Sequence, residues 1–233
     1  MFVLPPTRRL SPFVLAIALA LAGPAAFAAD GSDVDKVNGS ITAETGKTYG
    51  DLNTVNGSVT LQDSARTGDA ETVNGSIEAG NNVTTGGLST VNGNVRVGTG
   101  AQVSGGIETV NGSVFVDRRS HVAKGVETVN GAIGLVATEL GGGIETVNGD
   151  ITVGIDTRVH GDIKVKKPSA SWMPISLGSK RKPRIIIGPN AVVDGELVFE
   201  REVVLYVHKT ARIGKVTGAT PVAYSTPRAP AGE

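Results

Sequence analysis

The chain has 233 residues, of which 32 are glycine, none is cysteine and 4 % are aromatic. Basic and acidic residues balance at 22 each, so the basic excess carried by nucleic-acid binders is missing and nucleic acid is excluded as a partner. The lack of cysteine excludes disulfides, thiolate zinc sites, haem attachment and a lipidated N-terminal cysteine.

In chain order, residues 1–28 read as a secretory signal peptide. Arg8 and Arg9 form its positive end, Phe13 to Ala22 is an unbroken apolar run of ten, and Ala26-Phe27-Ala28 offers a small-residue cleavage site. A membrane-spanning helix needs about 20 apolar residues, so this run is too short for one. Removal of the segment takes two arginines and no acid, leaving 20 basic against 22 acidic residues and a net charge of −2. The expected location is the periplasm or the surface of a bacterial cell.

Residues 29–163 are organised by an internal repeat. Val-Asn-Gly occurs seven times, at Val37, Val55, Val73, Val91, Val110, Val129 and Val147, in steps of 18 or 19 residues. Most copies extend to Glu-Thr-Val-Asn-Gly, followed two positions later by Ile or Val, as in Glu71–Ile77 and Glu145–Ile151. A second, glycine-rich corner follows in each period, at Gly68, Gly86-Gly87, Gly105-Gly106, Gly125, Gly141–Gly143 and Gly161. Between corners apolar residues alternate, as in Val95 and Val97 or Val114 and Val116, which is the pattern of strands with one buried face. The fold expected is all-β: a single-stranded parallel β-helix, or β-solenoid, with coils of about 18 residues.

Two other β architectures fit less well. Asn-Gly is a strong hairpin signal, but a hairpin array would have two similar arms per period and the corners divide each period unevenly. An outer-membrane barrel needs two aromatic girdles, and only six aromatic residues follow position 28. One coil alone cannot offset its ordering entropy, so neighbours must stack and share a core.

Within each coil, the valine of Val-Asn-Gly is expected inside and the preceding threonine outside. The asparagine and glycine are expected to supply the sharp turn through positive φ. The seven asparagines Asn38, Asn56, Asn74, Asn92, Asn111, Asn130 and Asn148 are expected to stack as a hydrogen-bonded amide ladder. Asn-Gly-Ser also matches a glycosylation acceptor, which carries no meaning in a bacterial protein.

Residues 164–184 break the period and read as a basic loop inserted between coils. The segment holds Lys164, Lys166, Lys167, Lys180, Arg181, Lys182 and Arg184 and no acid, with Trp172, Met173, Ile175 and Leu177 between the basic clusters. Lys166, Lys167, Trp172, Met173, Lys180, Arg181, Lys182 and Arg184 are the candidate partner contacts. One reading makes the loop a dock for an anionic envelope component, such as lipid headgroups or an acidic polymer. The other lets its apolar residues cover a solenoid side while the charges keep it soluble. Further solenoid coils are expected over 185–219, and a disordered tail over 220–233.

The repeats around Glu145–Ile151 resemble the adhesin-type β-solenoid repeats of bacterial envelope proteins, over roughly 35–163. Ile187 to Gly218 resembles bactofilins, which are polymer-forming β-helical scaffolds. The first resemblance implies an envelope protein that binds a protein or polymer partner. The second implies end-to-end self-association through open strand edges.

Chemistry is harder to find. Asp117, Arg118 and Arg119 form the densest polar break, without paired carboxylates, and read as a solvated corner. His121, His160 and His208 fall at different positions in their coils and read as surface residues. No catalytic residue, cofactor site or metal site is expected. The function expected is that of a non-catalytic envelope structural or adhesion-type protein. A self-assembling scaffold is the alternative, and a carbohydrate-active β-helix enzyme a distant third.

Overall fold

In the computed structural model, residues 31–168 and 181–230 are described. The signal segment 1–28 lies outside them, as do Trp172, Met173 and Lys180.

The described chain is a parallel β-solenoid with no helix. Each coil contributes one strand to each of the first two sheets, and seven of the coils also contribute one to a third, so the sheets have ten, ten and seven strands. The first sheet carries the Val-Asn-Gly copies, from Val34–Asn38 and Leu52–Asn56 through to Val216–Thr217. The second runs from Ile41–Ala43 to Pro221–Tyr224. The third, with two-residue strands, runs from Thr84–Thr85 to Arg212–Ile213. It is extended by single bridges from Thr84 to Arg66 and from Arg66 to Thr48.

Every pairing is parallel and in register with the repeat, so Leu52 meets Ala70, Ala70 meets Leu88, and Leu88 meets Ile107. Coils of 19 residues arise where the corner between the third and first sheets gains a residue, as at Ser104 between Val103 and Ile107. The inserted segment adds to one coil only. Ile163 pairs with Leu197 as though the intervening chain were a single coil.

The core is a column of stacked aliphatics, because residues two apart in a strand share a face. Ile41, Val59, Ile77, Val95, Val114, Ile133, Ile151 and Ile185 form one such row, each at 2 % exposure or less. The threonine that precedes Val-Asn-Gly points into this core, and the valine points out. Thr54, Thr72, Thr90, Thr109 and Thr128 are buried, and each donates its hydroxyl proton to the glycine carbonyl one coil earlier, at 2.8–3.1 Å. Val37 is 44 % exposed. The expected orientation of Thr and Val is therefore reversed. A threonine is tolerated inside because the turn leaves one carbonyl per coil for its hydroxyl to satisfy.

The sharp left-handed turn also lies elsewhere than expected. It recurs after the second sheet, at Gly46, Ser64, Asn82, Gly100, Arg119, Ala137, Asp156 and Asn190, with φ between 45° and 72°. Of the Val-Asn-Gly glycines only Gly39 and Gly131 have positive φ, at 113° and 157°, and from Gly57 onward it is close approach that requires glycine. A Cβ on Gly75 would sit 1.9 Å from the carbonyl oxygen of Gly57, and one on Gly112 would sit 1.7 Å from that of Gly93.

The tail differs from the sequence reading. Pro221–Tyr224 is a strand paired with Val204–His208, and the Tyr224 hydroxyl donates to the Ile187 carbonyl at 3.2 Å from a buried position. That aromatic ring closes the C-terminal end of the core, which a count of prolines could not anticipate.

Candidate functional site

Stacking turns each sequence position into a row of side chains at strand spacing. On the outer face of the first sheet, Val55, Val73, Val91, Val110, Val129 and Val147 form a half-buried valine row. Beside it runs a row that is largely acidic. Glu108 faces Glu127, Glu127 faces Glu145, and Lys164 ends the acidic part. Burial pushes the Glu71 and Glu127 carboxyls above their ordinary range, and neighbouring acids add to the effect. For Glu127 those neighbours are Glu145 and Glu108.

The expected amide ladder is present. Each asparagine from Asn56 to Asn148 donates its side-chain N–H to the amide oxygen of the one before, at 2.9–3.0 Å. The ladder ends at Asn148, whose oxygen accepts from Arg201 Nη1. The same nitrogen donates to the Val147 carbonyl at 3.0 Å.

This corner, Val147 to Asp150, is where the repeat departs from itself. The strand stops at Thr146 rather than continuing to the asparagine. Thr146 Oγ1 is buried and has no hydrogen-bond partner among the described residues, whereas Thr128 bonds Gly112 normally. Asp150 stands where most earlier copies have serine or alanine. Its carboxylate accepts from Arg181 Nη2 at 2.5 Å and from the Arg184 backbone N–H at 2.9 Å.

Of the described cations of the basic segment, Lys164, Lys166, Arg181, Lys182 and Arg184 are thus engaged by acids and ring faces. Lys166 pairs with Glu145, Lys182 with Glu202 at 3.0 Å, and Lys164 with Asp162 at 2.8 Å. The Lys167 backbone N–H donates to Glu200 at 3.1 Å. The Arg184 guanidinium lies over the Tyr206 ring, 5.2 Å from its centroid. Asp162 is two residues from Lys164, but the other acidic partners lie 20 or more positions from theirs, so no local motif in the sequence marks them.

A second cluster sits on the third sheet. His160 Nε2 lies 3.1 Å from Glu139, and its Nδ1 lies 3.0 Å from Asp194. Arg158 pairs with Asp194 at 3.1 Å, and His121 approaches Glu139 at 3.8 Å. The hydrogen bond with His160 holds the Glu139 carboxyl below its ordinary range. His121 and His160 occupy different coil positions, as the sequence indicates. A diagonal contact across the stack nevertheless brings both to one carboxylate. Among the described residues no group of His, Cys, Asp or Glu is arranged to hold a metal ion.

The remaining polar candidates stay apart. Asp117 accepts the Arg118 backbone N–H at 2.7 Å, which holds its carboxyl below the ordinary range. Arg119 is one of the left-handed corner residues. His208 hydrogen-bonds Thr210 at 2.9 Å and meets the edge of Tyr224. Comparison with family models, curated proteins and solved structures finds no match for this chain.

Proposed function

We propose that this protein is a non-catalytic, exported rod of the bacterial cell envelope that binds an extended partner along its first sheet. The observation that carries the reading is the outer face of that sheet. Valine, carboxylate and asparagine rows repeat there at strand spacing, from coil to coil. Catalysis needs different groups converging on one atom, whereas a translational array suits many equivalent contacts with a polymer or an extended protein segment. Adhesin-type repeat proteins, which the sequence resembles, would use the fold in this way.

The ends support a discrete rod over a filament. At the outermost described strand, Lys36 occupies the inward position that Thr54 holds in the next coil, and its ammonium donates to the Ser40 carbonyl at 2.8 Å. An inward-facing charge on an edge strand opposes further stacking. At the other end Tyr224 plugs the core, and the last strand of the second sheet begins with Pro221, which has no N–H to offer. The ion pairs at the base of the inserted segment favour a structural role for its described cations, so the sheet face is the better candidate for partner contact than the loop.

The test is sedimentation and electron microscopy of the purified protein over a wide concentration range, together with cosedimentation with isolated envelope polymer. Short rods of constant size that cosediment are expected. Replacing Val73, Val91 and Val110 with Glu should abolish cosedimentation while the cooperative melt is retained. Concentration-dependent filaments would replace the rod with a self-assembling scaffold. Cosedimentation indifferent to the valine row would remove the sheet face from the proposal.

A further inference from the structure

Asn-Gly is the dipeptide most prone to spontaneous deamidation, because glycine leaves its backbone nitrogen unhindered beside the asparagine side chain. The reaction requires that nitrogen to lose its proton and attack Cγ. A glycine N–H already donating to a carbonyl is a poor nucleophile, since the hydrogen bond must first be broken. The solenoid therefore treats its seven copies unequally.

In five copies the glycine N–H is engaged. Gly39, Gly57, Gly75, Gly93 and Gly112 donate to the asparagine carbonyl of the next coil at 2.8, 3.1, 3.2, 3.2 and 3.0 Å. Gly131 and Gly149 have no such bond among the described residues. Gly149 lies in the distorted corner, where the strand ends early and the Thr146 hydroxyl is left without a partner among the described residues, and Gly131 is its stacked counterpart one coil earlier. Both preceding asparagines are exposed, so water can reach their side chains. At Asn148 the side-chain oxygen also accepts from the Arg201 guanidinium, which would stabilise the negative charge that develops on that oxygen during attack.

From this juxtaposition we propose that Asn130 and Asn148 are modification sites, at which the folded protein deamidates while its other five Val-Asn-Gly copies are protected. The glycine nitrogen gives its proton to hydroxide and bonds to Cγ. The Cγ–Nδ2 bond then breaks and ammonia leaves with a proton from water, closing a succinimide. Water adds to either ring carbonyl and opens the ring to aspartate or isoaspartate, with no change of oxidation state. At position 148 the product exchanges the amide donor to Asn130 for a carboxylate beside Arg201. The charge of the corner where the inserted segment is clamped thus falls by one.

The experiment is incubation of the purified full chain at mildly alkaline pH, followed by peptide mapping with a fragmentation method that separates aspartate from isoaspartate. A parallel sample is held in urea. In the folded sample Asn130 and Asn148 should convert roughly five- to tenfold faster than the other five, the rate equivalent of one backbone hydrogen bond. In urea that advantage should vanish, because every site then has the same exposed dipeptide. A folded-state lead by any of the other five asparagines, or equal rates for all seven, overturns the proposal. The same rank order in urea would assign the preference to sequence rather than structure and overturn it as well. An Asn130→Gln, Asn148→Gln double variant should lack the early acidic species, and its persistence there would likewise be decisive against the assignment.

Discussion

Thr90 Oγ1 donates a 2.8 Å hydrogen bond to the carbonyl oxygen of Gly75, its counterpart corner one coil earlier. Thr90 is 1 % exposed, while Val91 next to it faces outward at intermediate exposure. The bond recurs from Thr54 to Thr128, so the repeat is joined internally by side chain to main chain as well as by strand ladders.

The two positions should respond very differently to a charge. Thr90→Asp buries an unpaired carboxylate against the core and should cost several kcal/mol, about 3 or more. Val91→Asp places the same group in solvent and should cost about 1 kcal/mol or less. Thr90→Val keeps the shape but strands the Gly75 carbonyl, for about 1–2 kcal/mol. Thermal melts of the three variants check the order, and equal effects at 90 and 91 would reverse the orientation described here.

Ala137 adopts φ 45° in the corner stack that Gly46 and Gly100 also occupy. An L residue held there carries a strain of about 1 kcal/mol that glycine avoids. Ala137→Gly should therefore raise stability by a few tenths to about 1 kcal/mol, the gain being reduced by glycine's larger unfolded-state entropy. Denaturant titration measures this. A destabilisation of that size would mean the corner is unstrained.

The Glu127 carboxyl is raised, first by burial and then by Glu145 and Glu108, with Lys166 opposing. A raised folded-state value means that the folded protein holds the proton more tightly than the unfolded chain. The ionised group therefore costs stability as pH rises out of the ordinary carboxylate range and through the raised value. Glu127→Gln should raise the melting temperature at pH 7, and the difference should close below about pH 4, where both forms are neutral. Glu139 is lowered instead by its bond with His160, so its contribution is lost as pH falls. Glu139→Gln should accordingly lower the melting temperature at pH 7 and make no difference in strong acid.

Removal of one whole coil tests the repeat as the unit of structure. Glu71 is in register with Ser89, so deletion of residues 71–88 joins Ala70 to Ser89 with every flanking pair preserved. The shortened chain should fold, with a β-type circular dichroism spectrum and a cooperative melt. Deleting residues 71–79 instead leaves half a coil and should abolish cooperative unfolding.

Much of this molecule is legible in one dimension. The period of Val-Asn-Gly determines coil length, strand number and parallel register, because a repeat that cannot bury its own apolar face must stack on its copies. The asparagine ladder follows from the same period, since in-register stacking places identical amides one strand spacing apart. Three-dimensional packing decided the rest. Threonine rather than valine turned inward because of where a turn carbonyl points, and propensity alone contains no such direction. At Ser64, Arg119 and Ala137 the left-handed turn fell on residues whose types do not announce it, because stacking makes one coil's corner follow the next. The clamp at Asp150, the His160 bridge and the seal of Arg201 on Asn148 join residues 21 to 53 positions apart. Such contacts are set by the pitch of the solenoid and by the insertion that interrupts it, so they exist only once the coils are stacked.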